Sequence, residues 1–207
     1  MAPHRRLGIL DPSTNNPFAH PRGWLGRLAG RWMLWNNKQD DVVGVLGVQP
    51  GDDVLEIGYG PGGLIRLLAA RTDAATIQGV DPSADMRDQA RRRNRKAVRT
   101  GRVRLDLGTA ERTGLPDASV DRLVSVNNVA IWPDLDAAVG ELHRVVRPGG
   151  TVVIAWHGGT EPSRIVRSLR LPEDLLGHIE QVLRNRFDDV GRTQLARLDV
   201  FTAVRSR

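Results

Sequence analysis

Short apolar segments alternate with amphipathic segments along most of the chain, and this alternation predicts its architecture. Five segments have the length and composition of buried strands: residues 53–57, 76–80, 103–107, 122–126 and 151–156. Between these strands, apolar residues recur at helical spacing. This spacing predicts helices over residues 64–70 and 134–146 and a helix that begins near Ala84. Strands that alternate with helices favour a parallel sheet that is covered on both faces.

The C-terminal quarter has a different pattern. Residues 172–187 read as a helix, and residues 190–198 and 200–204 read as two strands with almost no residues between them. Strands joined so closely are antiparallel, because a parallel crossover needs a dozen or more residues. The sequence therefore predicts an α/β fold with a doubly wound, Rossmann-like sheet that is mainly parallel and ends in an antiparallel C-terminal strand.

The N-terminal segment differs from the rest in composition. We interpret residues 1–22 as a flexible polar arm and residues 23–207 as a single domain, which starts with a cover helix over residues 23–48. Tryptophans and arginines are interleaved in this helix. It is expected to pack on the sheet; capping a pocket, or peripheral contact with a membrane surface, are the alternatives.

Composition narrows the functional classes. Apolar residues make up 40% and charged residues 26% of the chain, which is typical of a globular protein. There is no cysteine, which excludes disulfides and thiolate chemistry. No apolar segment approaches the ~20 residues that span a bilayer, and the polar start does not resemble a signal peptide. We therefore expect a cytoplasmic enzyme without a transmembrane segment.

The net charge of +6 admits two interpretations. One is a polyanionic partner such as nucleic acid or acidic lipid. The other is a solvated basic surface, since the positive charge comes almost entirely from arginine and is densest in residues 87–104. The second interpretation is favoured, because a basic surface alone does not specify a partner.

The most informative segment is a glycine-rich loop after the first strand, in the sequence Val54-Leu55-Glu56-Ile57-Gly58-Tyr59-Gly60-Pro61-Gly62-Gly63. Glycines let the backbone pass close to a ligand. Asp81 follows the second strand, near the offset at which a carboxylate meets ribose hydroxyls. Taken alone, this pattern also fits a dinucleotide oxidoreductase. Glu56 favours a cofactor that carries an amino acid.

Together with the reversed final strand, these motifs resemble the class I S-adenosylmethionine-dependent methyltransferases. Further matching segments are residues 80–86, 108–111, 115–121, 126–127 and 144–150. The resemblance implies S-adenosylmethionine as the cofactor and the class I methyltransferase fold. It extends from about Asn36 to Trp156.

The resemblance also implies roles for individual residues. Around the methionine half of the cofactor it places Glu56, Gly58, Gly60, Pro61 and Gly62, with Asn127 near the methionine end. Asp81 would accept hydrogen bonds from the ribose hydroxyls, Pro82 and Met86 would flank the adenine, and Thr109 and Ala110 would meet its edge. Met86 as a core residue and Asn127 as a turn residue are the alternatives. Thr109 stands where the family often has an acidic residue, so the adenine contact is weaker.

A closer resemblance is to the small bacterial ubiquinone/menaquinone- and phosphatidylethanolamine-type methyltransferases. It rests on paired asparagines before the first strand and on a Trp-Pro-Asp segment after the fourth. It implies that Asn36, Asn37 and Trp132 border the acceptor pocket. Exposed helix positions are the alternative for the two asparagines.

Methyl transfer from a sulfonium needs in-line geometry and little covalent help. His157, at the carboxyl edge of the sheet, is the candidate general base, and an exposed turn residue is the alternative. Tyr59, whose ring we expect to point at the pocket, would orient the acceptor or serve packing. No metal site is expected. The predicted function is methyl transfer to a small organic or lipid-like acceptor; an RNA methyltransferase and a non-catalytic cofactor-binding protein are the alternatives.

Overall fold

The computed structural model describes residues 39–207. The predicted arm and the first part of the predicted cover helix, residues 23–38, lie outside this range. Within residues 39–48 the predicted helix is not continuous: α1 (Asp40–Leu46) begins after its N-cap Gln39 and ends at Gly47 in the left-handed conformation with φ +60°. Helix α1 therefore ends slightly before the predicted boundary at residue 48.

Seven strands form one sheet, and the predicted architecture is confirmed. The strands are β1 (Asp53–Ile57), β2 (Thr76–Asp81), β3 (Val103–Leu107), β4 (Val120–Val126), β5 (Val146–His157), β6 (Asp188–Gln194) and β7 (Leu198–Val204). Their order is β3-β2-β1-β4-β5-β7-β6. Strands β1 to β5 pair in parallel, whereas β7 is antiparallel to both β5 and β6.

Helices cover both faces of the sheet. They are α2 (Gly63–Arg71), α3 (Ala84–Arg93), α4 (Arg95–Arg99), α5 (Leu135–Val145), α6 (Arg164–Ser168) and α7 (Glu173–Arg184), with a 3₁₀ turn at Val129–Ile131. Apolar residues of α1 to α4 bury against one face, and those of α5 and α7 bury against the other. No described helix is long and apolar enough to cross a membrane.

Several predicted strand boundaries were wrong: β4 begins at Val120 instead of residue 122, β6 spans Asp188–Gln194 instead of residues 190–198, and β7 begins at Leu198 instead of residue 200. Strand β5 begins at Val146 rather than at residue 151, because the Pro-Gly-Gly segment continues the strand, and the N–H of Gly149 donates to the carbonyl of Arg205. Strand β6 ends at Gln194, and the N–H of Leu195 donates to the carbonyl of Leu198 to close the hairpin. The short helix α6 was not predicted.

The topology brings several loops to one edge. Because β1 to β5 are parallel, their carboxyl ends lie together. Strand β1 pairs with β2 on one side and with β4 on the other. The chain leaves β1 toward β2, and it later returns from β3 to β4 on the other side of β1, so the two connections diverge between β1 and β4. In open α/β sheets this point forms a crevice that binds ligands.

Candidate active site

The loop after β1 depends on three glycines with positive φ angles. These are +71° at Gly58, +51° at Gly60 and +77° at Gly62, values that other residues rarely adopt. A Cβ atom at Gly58 would collide with the side chain of Asn128, and one at Gly62 would lie 2.7 Å from that of Asn94. A Cβ at Gly60 would meet no described atom within 4 Å. The middle glycine therefore faces open space.

Asp81 links this loop to the end of β2. Its Oδ2 accepts a 2.9 Å hydrogen bond from the N–H of Gly60, and its Oδ1 accepts one of 2.9 Å from the N–H of Ser83. The residue is only 7% exposed. Burial raises the pKa of the Asp81 carboxyl, and the two backbone hydrogen bonds oppose that effect.

The loop after β3 adjoins the same position. The N–H of Gly108 donates a 3.2 Å hydrogen bond to the carbonyl of Asp81, so Thr109 and Ala110 follow directly beside the end of β2. Thr109 is exposed and Ala110 is buried. Pro82 is exposed, and Met86 is buried in the first turns of α3, where Ser83 caps the helix. The structure therefore brings the predicted adenine-site residues to one edge.

Glu56 is a buried carboxylate with an unused oxygen. It is 2% exposed, and it accepts a hydrogen bond from the backbone N–H of Ile65. Its Oε2 has no hydrogen-bond partner among the described residues. Burial, and then the charge of Asp81, raise the pKa of Glu56 to about 8. A cation next to this oxygen would favour the ionised form.

Two predicted pocket residues lie in the hydrophobic core. The ring of Tyr59 is 3% exposed and packs against Gly79, and its hydroxyl donates a 3.1 Å hydrogen bond to the carbonyl of Asp106. The expectation that this ring points at the pocket was wrong, because the core beneath the loop accommodates it. Trp132 is 5% exposed and belongs to the core cluster around α5. Their roles in catalysis and acceptor binding stay predictions.

Two of the remaining predicted residues, Asn127 and His157, lie at the carboxyl ends of the neighbouring strands β4 and β5. Asn127 follows β4 with φ +59°, and its N–H donates a 2.8 Å hydrogen bond to the carbonyl of Ala155 in β5. His157 ends β5, where burial lowers the pKa of its ring to about 4, so the imidazole is neutral at pH 7. Asn36 and Asn37 lie outside the described residues.

The sequence reasoning missed Asn128. Its side-chain amide donates to the carbonyls of Val126 at 2.7 Å, Gly58 at 3.1 Å and Ile57 at 3.2 Å. Ser125 adds a hydroxyl bond of 3.1 Å to the carbonyl of Ile57. Both side chains thus hold the start of the glycine loop against β4. The sequence did contain a signal for this role, because polar residues follow the apolar segment of β4.

Several sequence relatives are named as methyltransferases. Residues 54–150 match the family described as a methyltransferase domain. The chain is 35% identical over 113 residues to the uncharacterized methyltransferase YdaC of Bacillus subtilis, which covers 55% of this chain and 60% of YdaC. It is 32% identical over 121 residues to the ubiquinone/menaquinone biosynthesis C-methyltransferase UbiE of Rubrivivax gelatinosus, covering 58% and 44% of the two chains. The chain spans about half the length of the curated relatives it matches.

The fold has close structural counterparts. A putative S-adenosyl-L-methionine-dependent methyltransferase from Methanococcus maripaludis superposes with a TM-score of 0.72, although the two sequences are only 17% identical. The match covers 88% of this chain and 92% of that one. At this level of identity the similarity establishes the fold.

Proposed function

Because the chain belongs to the class I S-adenosylmethionine-dependent methyltransferases, we propose that it transfers the methyl group of this cofactor to a small organic or lipid-like acceptor. The observation that carries the proposal is the hydrogen bond from Gly60 to Asp81. It connects the open glycine loop after β1 to the buried carboxylate at the end of β2.

The described residues fit the cofactor. The unused oxygen of Glu56 suits the ammonium group of the methionine half. Each carboxylate oxygen of Asp81 keeps a lone pair after bonding to Gly60 or Ser83, and can accept a ribose hydroxyl. The open space at Gly60 leaves room for the ligand. When bound, S-adenosylmethionine supplies a methyl group on a cationic, electrophilic sulfur.

An apolar surface near Asp81 suits the adenine ring. Leu107 pairs in register with Asp81 and remains 49% exposed, which is unusual for a large apolar side chain at a strand end. Ala110 and Met86 are the buried apolar residues of the adjoining loop and helix. We assign adenine contact to these residues together with Pro82 and Thr109.

The acceptor side is apolar as well. Trp156, near the end of β5, donates a 2.8 Å hydrogen bond from Nε1 to the carbonyl of Leu169. This bond holds the segment that contains α6 against the end of β5. Leu169 and Ile131 are exposed, and they flank the carboxyl ends of β5 and β4. The relative UbiE is named as a C-methyltransferase of ubiquinone and menaquinone biosynthesis. An acceptor of comparable apolar character fits these side chains.

The protein's own contribution is to position the reactants and exclude water. The acceptor atom has to lie about 3 Å from the methyl carbon, opposite the sulfur. His157 is neutral at pH 7, so its ring can accept a hydrogen bond or a proton from an acceptor that carries a hydroxyl. Acceptors without such a proton would not need it.

Calorimetry with S-adenosylhomocysteine tests cofactor binding. We expect Asp81→Ala to weaken binding by about tenfold or more, the effect of losing charge-assisted hydrogen bonds. Asp174→Ala is the matched control, because Asp174 is exposed at the start of α7. Equal affinity of the folded Asp81→Ala protein and the parent would refute the assignment.

A panel of acceptors tests the second half of the proposal. The parent protein and radiolabelled S-adenosylmethionine are incubated with phenolic and quinone-like lipids and, separately, with total RNA. Methyl incorporation into the lipid fraction is expected. Incorporation into RNA alone would favour the RNA methyltransferase, and tight cofactor binding without any transfer would favour a non-catalytic protein.

A further inference from the structure

A shallow, open basic cleft lies between α2 and α3, and its arginines are exposed. Arg66 of α2 and Gln89, Arg92 and Arg93 of α3 line it, and its volume is about 370 Å³. All of its lining side chains are hydrogen-bond donors, and three of them carry a full positive charge. We refer to these four residues as the arginine cleft.

The charges of the arginine cleft are not neutralised within the described part of the chain. Neighbouring arginines do have carboxylate partners: Arg87 lies 3.5 Å from Asp88, and Arg71 pairs with Asp40. Neither Arg66, Arg92 nor Arg93 forms an ion pair with any of residues 39–207. Burial and the charge of Arg66 lower the pKa of Arg93, which indicates that the like charges are close.

Helix stabilisation explains only part of this arrangement. Cations in the last turn of α3 interact favourably with its C-terminal dipole, and Arg91, Arg92 and Arg93 occupy that turn. Arg91 is also engaged, since it donates a 2.9 Å hydrogen bond to the carbonyl of Leu105. Arg66, however, lies near the middle of α2, where the dipole gives no such benefit. The helix dipole therefore does not account for its place beside Arg93 in the cleft lining.

We propose that the arginine cleft binds a small anion that carries phosphate groups and two or more negative charges. Guanidinium groups bind phosphate oxygens in a bidentate manner, and a bound anion would relieve the repulsion between Arg66 and Arg93. The amide of Gln89 adds a neutral donor. The cleft's volume of about 370 Å³ leaves room for one or two phosphate groups.

The cleft is separate from the cofactor crevice, and its chemistry does not depend on methyl transfer. Asn94 lies between the two. It follows Arg93, is buried, and donates a 3.1 Å hydrogen bond from Nδ2 to the carbonyl of Gly62 in the glycine loop. The residues that line the arginine cleft therefore include none of this loop's residues.

Calorimetric titration with pyrophosphate at low ionic strength tests the proposal. We expect the parent to bind pyrophosphate, and the double variant Arg66→Ser/Arg93→Ser to bind it about tenfold more weakly or worse. Arg164→Ser/Arg167→Ser is the control, because it removes equal charge from exposed positions of α6 and should bind like the parent. Equal affinity in all three proteins would overturn the proposal, because the attraction would then be non-specific.

Three further titrations separate the sources of the anion. Saturating S-adenosylhomocysteine should leave pyrophosphate affinity unchanged; competition would place the anion in the cofactor crevice and overturn the site. Vesicles of phosphatidylglycerol and a single-stranded RNA are titrated in parallel. If vesicles or RNA bind through Arg66 and Arg93 while pyrophosphate does not, the small-anion site is wrong and a macromolecular partner replaces it.

Discussion

The side-chain amide of Asn128 donates a 3.1 Å hydrogen bond to the carbonyl oxygen of Gly58, so the end of β4 holds the first glycine of the loop after β1. The two residues lie so close that a Cβ atom on Gly58 would collide with the amide group. The loop therefore owes its position to a neighbouring strand as well as to its own glycines.

Replacing Asn128 should weaken both cofactor binding and folding. In Asn128→Ala the carbonyls of Ile57 and Gly58 lose a partly buried donor, which costs about 1 kcal/mol of unfolding free energy. Urea denaturation measures this loss, and calorimetry should show weaker binding of S-adenosylhomocysteine. Asn185→Ala, at the exposed end of α7, is the control. An Asn128→Ala protein with parental stability and affinity would show that the amide does not position the loop.

Substituting Gly60 should separate binding from stability. Its φ of +51° makes Gly60→Ala cost about 1–2 kcal/mol of backbone strain. Gly47→Ala should cost a similar amount, because Gly47 has φ +60° and the added Cβ would make only an ordinary contact at 3.9 Å. Only Gly60→Ala should lose affinity for S-adenosylhomocysteine, since its methyl group enters the open space over the loop. Equal affinities of the two variants would contradict this placement of the ligand.

Glu56 should make the protein less stable as the pH rises. Its pKa is about 8 in the folded protein, against 4.5 when unfolded, so the folded state holds a proton that the unfolded state releases. The free energy of unfolding should fall between about pH 5 and about pH 8, and Glu56→Gln should remove this part of the slope. Urea denaturation of both proteins across this range measures the difference. Parallel curves would show that Glu56 ionises normally.

His157 should act as a neutral group in any hydroxyl methylation. Since burial holds its pKa at about 4, the rate should not change near the usual histidine pKa of 6.5 and should decline only toward more acidic pH. His157→Ala should lower kcat for such an acceptor by about 100-fold, a typical contribution of a general base. His178→Ala, on the exposed face of α7, is the control. An inflection near 6.5 that disappears in His157→Ala would refute a neutral, buried ring.

The strands and most helices could be predicted because each has a local signal. Strand β3 matches its predicted bounds, residues 103–107, since an apolar alternation there is bounded by Gly101 and Gly108. Helix α6 could not be predicted, because five residues are too few to establish a helical period. The proximity of Gly60 and Asp81 followed from the position of each residue at the end of a parallel strand.

Local pattern thus specified the order of the elements, the parallel sheet and the loops that share its carboxyl edge. The direction of the Tyr59 ring, the bond from Asn128 to Gly58 and the shared cleft of Arg66 and Arg93 depended on the folded chain. Each of them joins side chains or backbone groups on different elements, across gaps of up to 70 residues. Periodicity describes which face of an element is buried, whereas such contacts are decided by how the elements pack against one another.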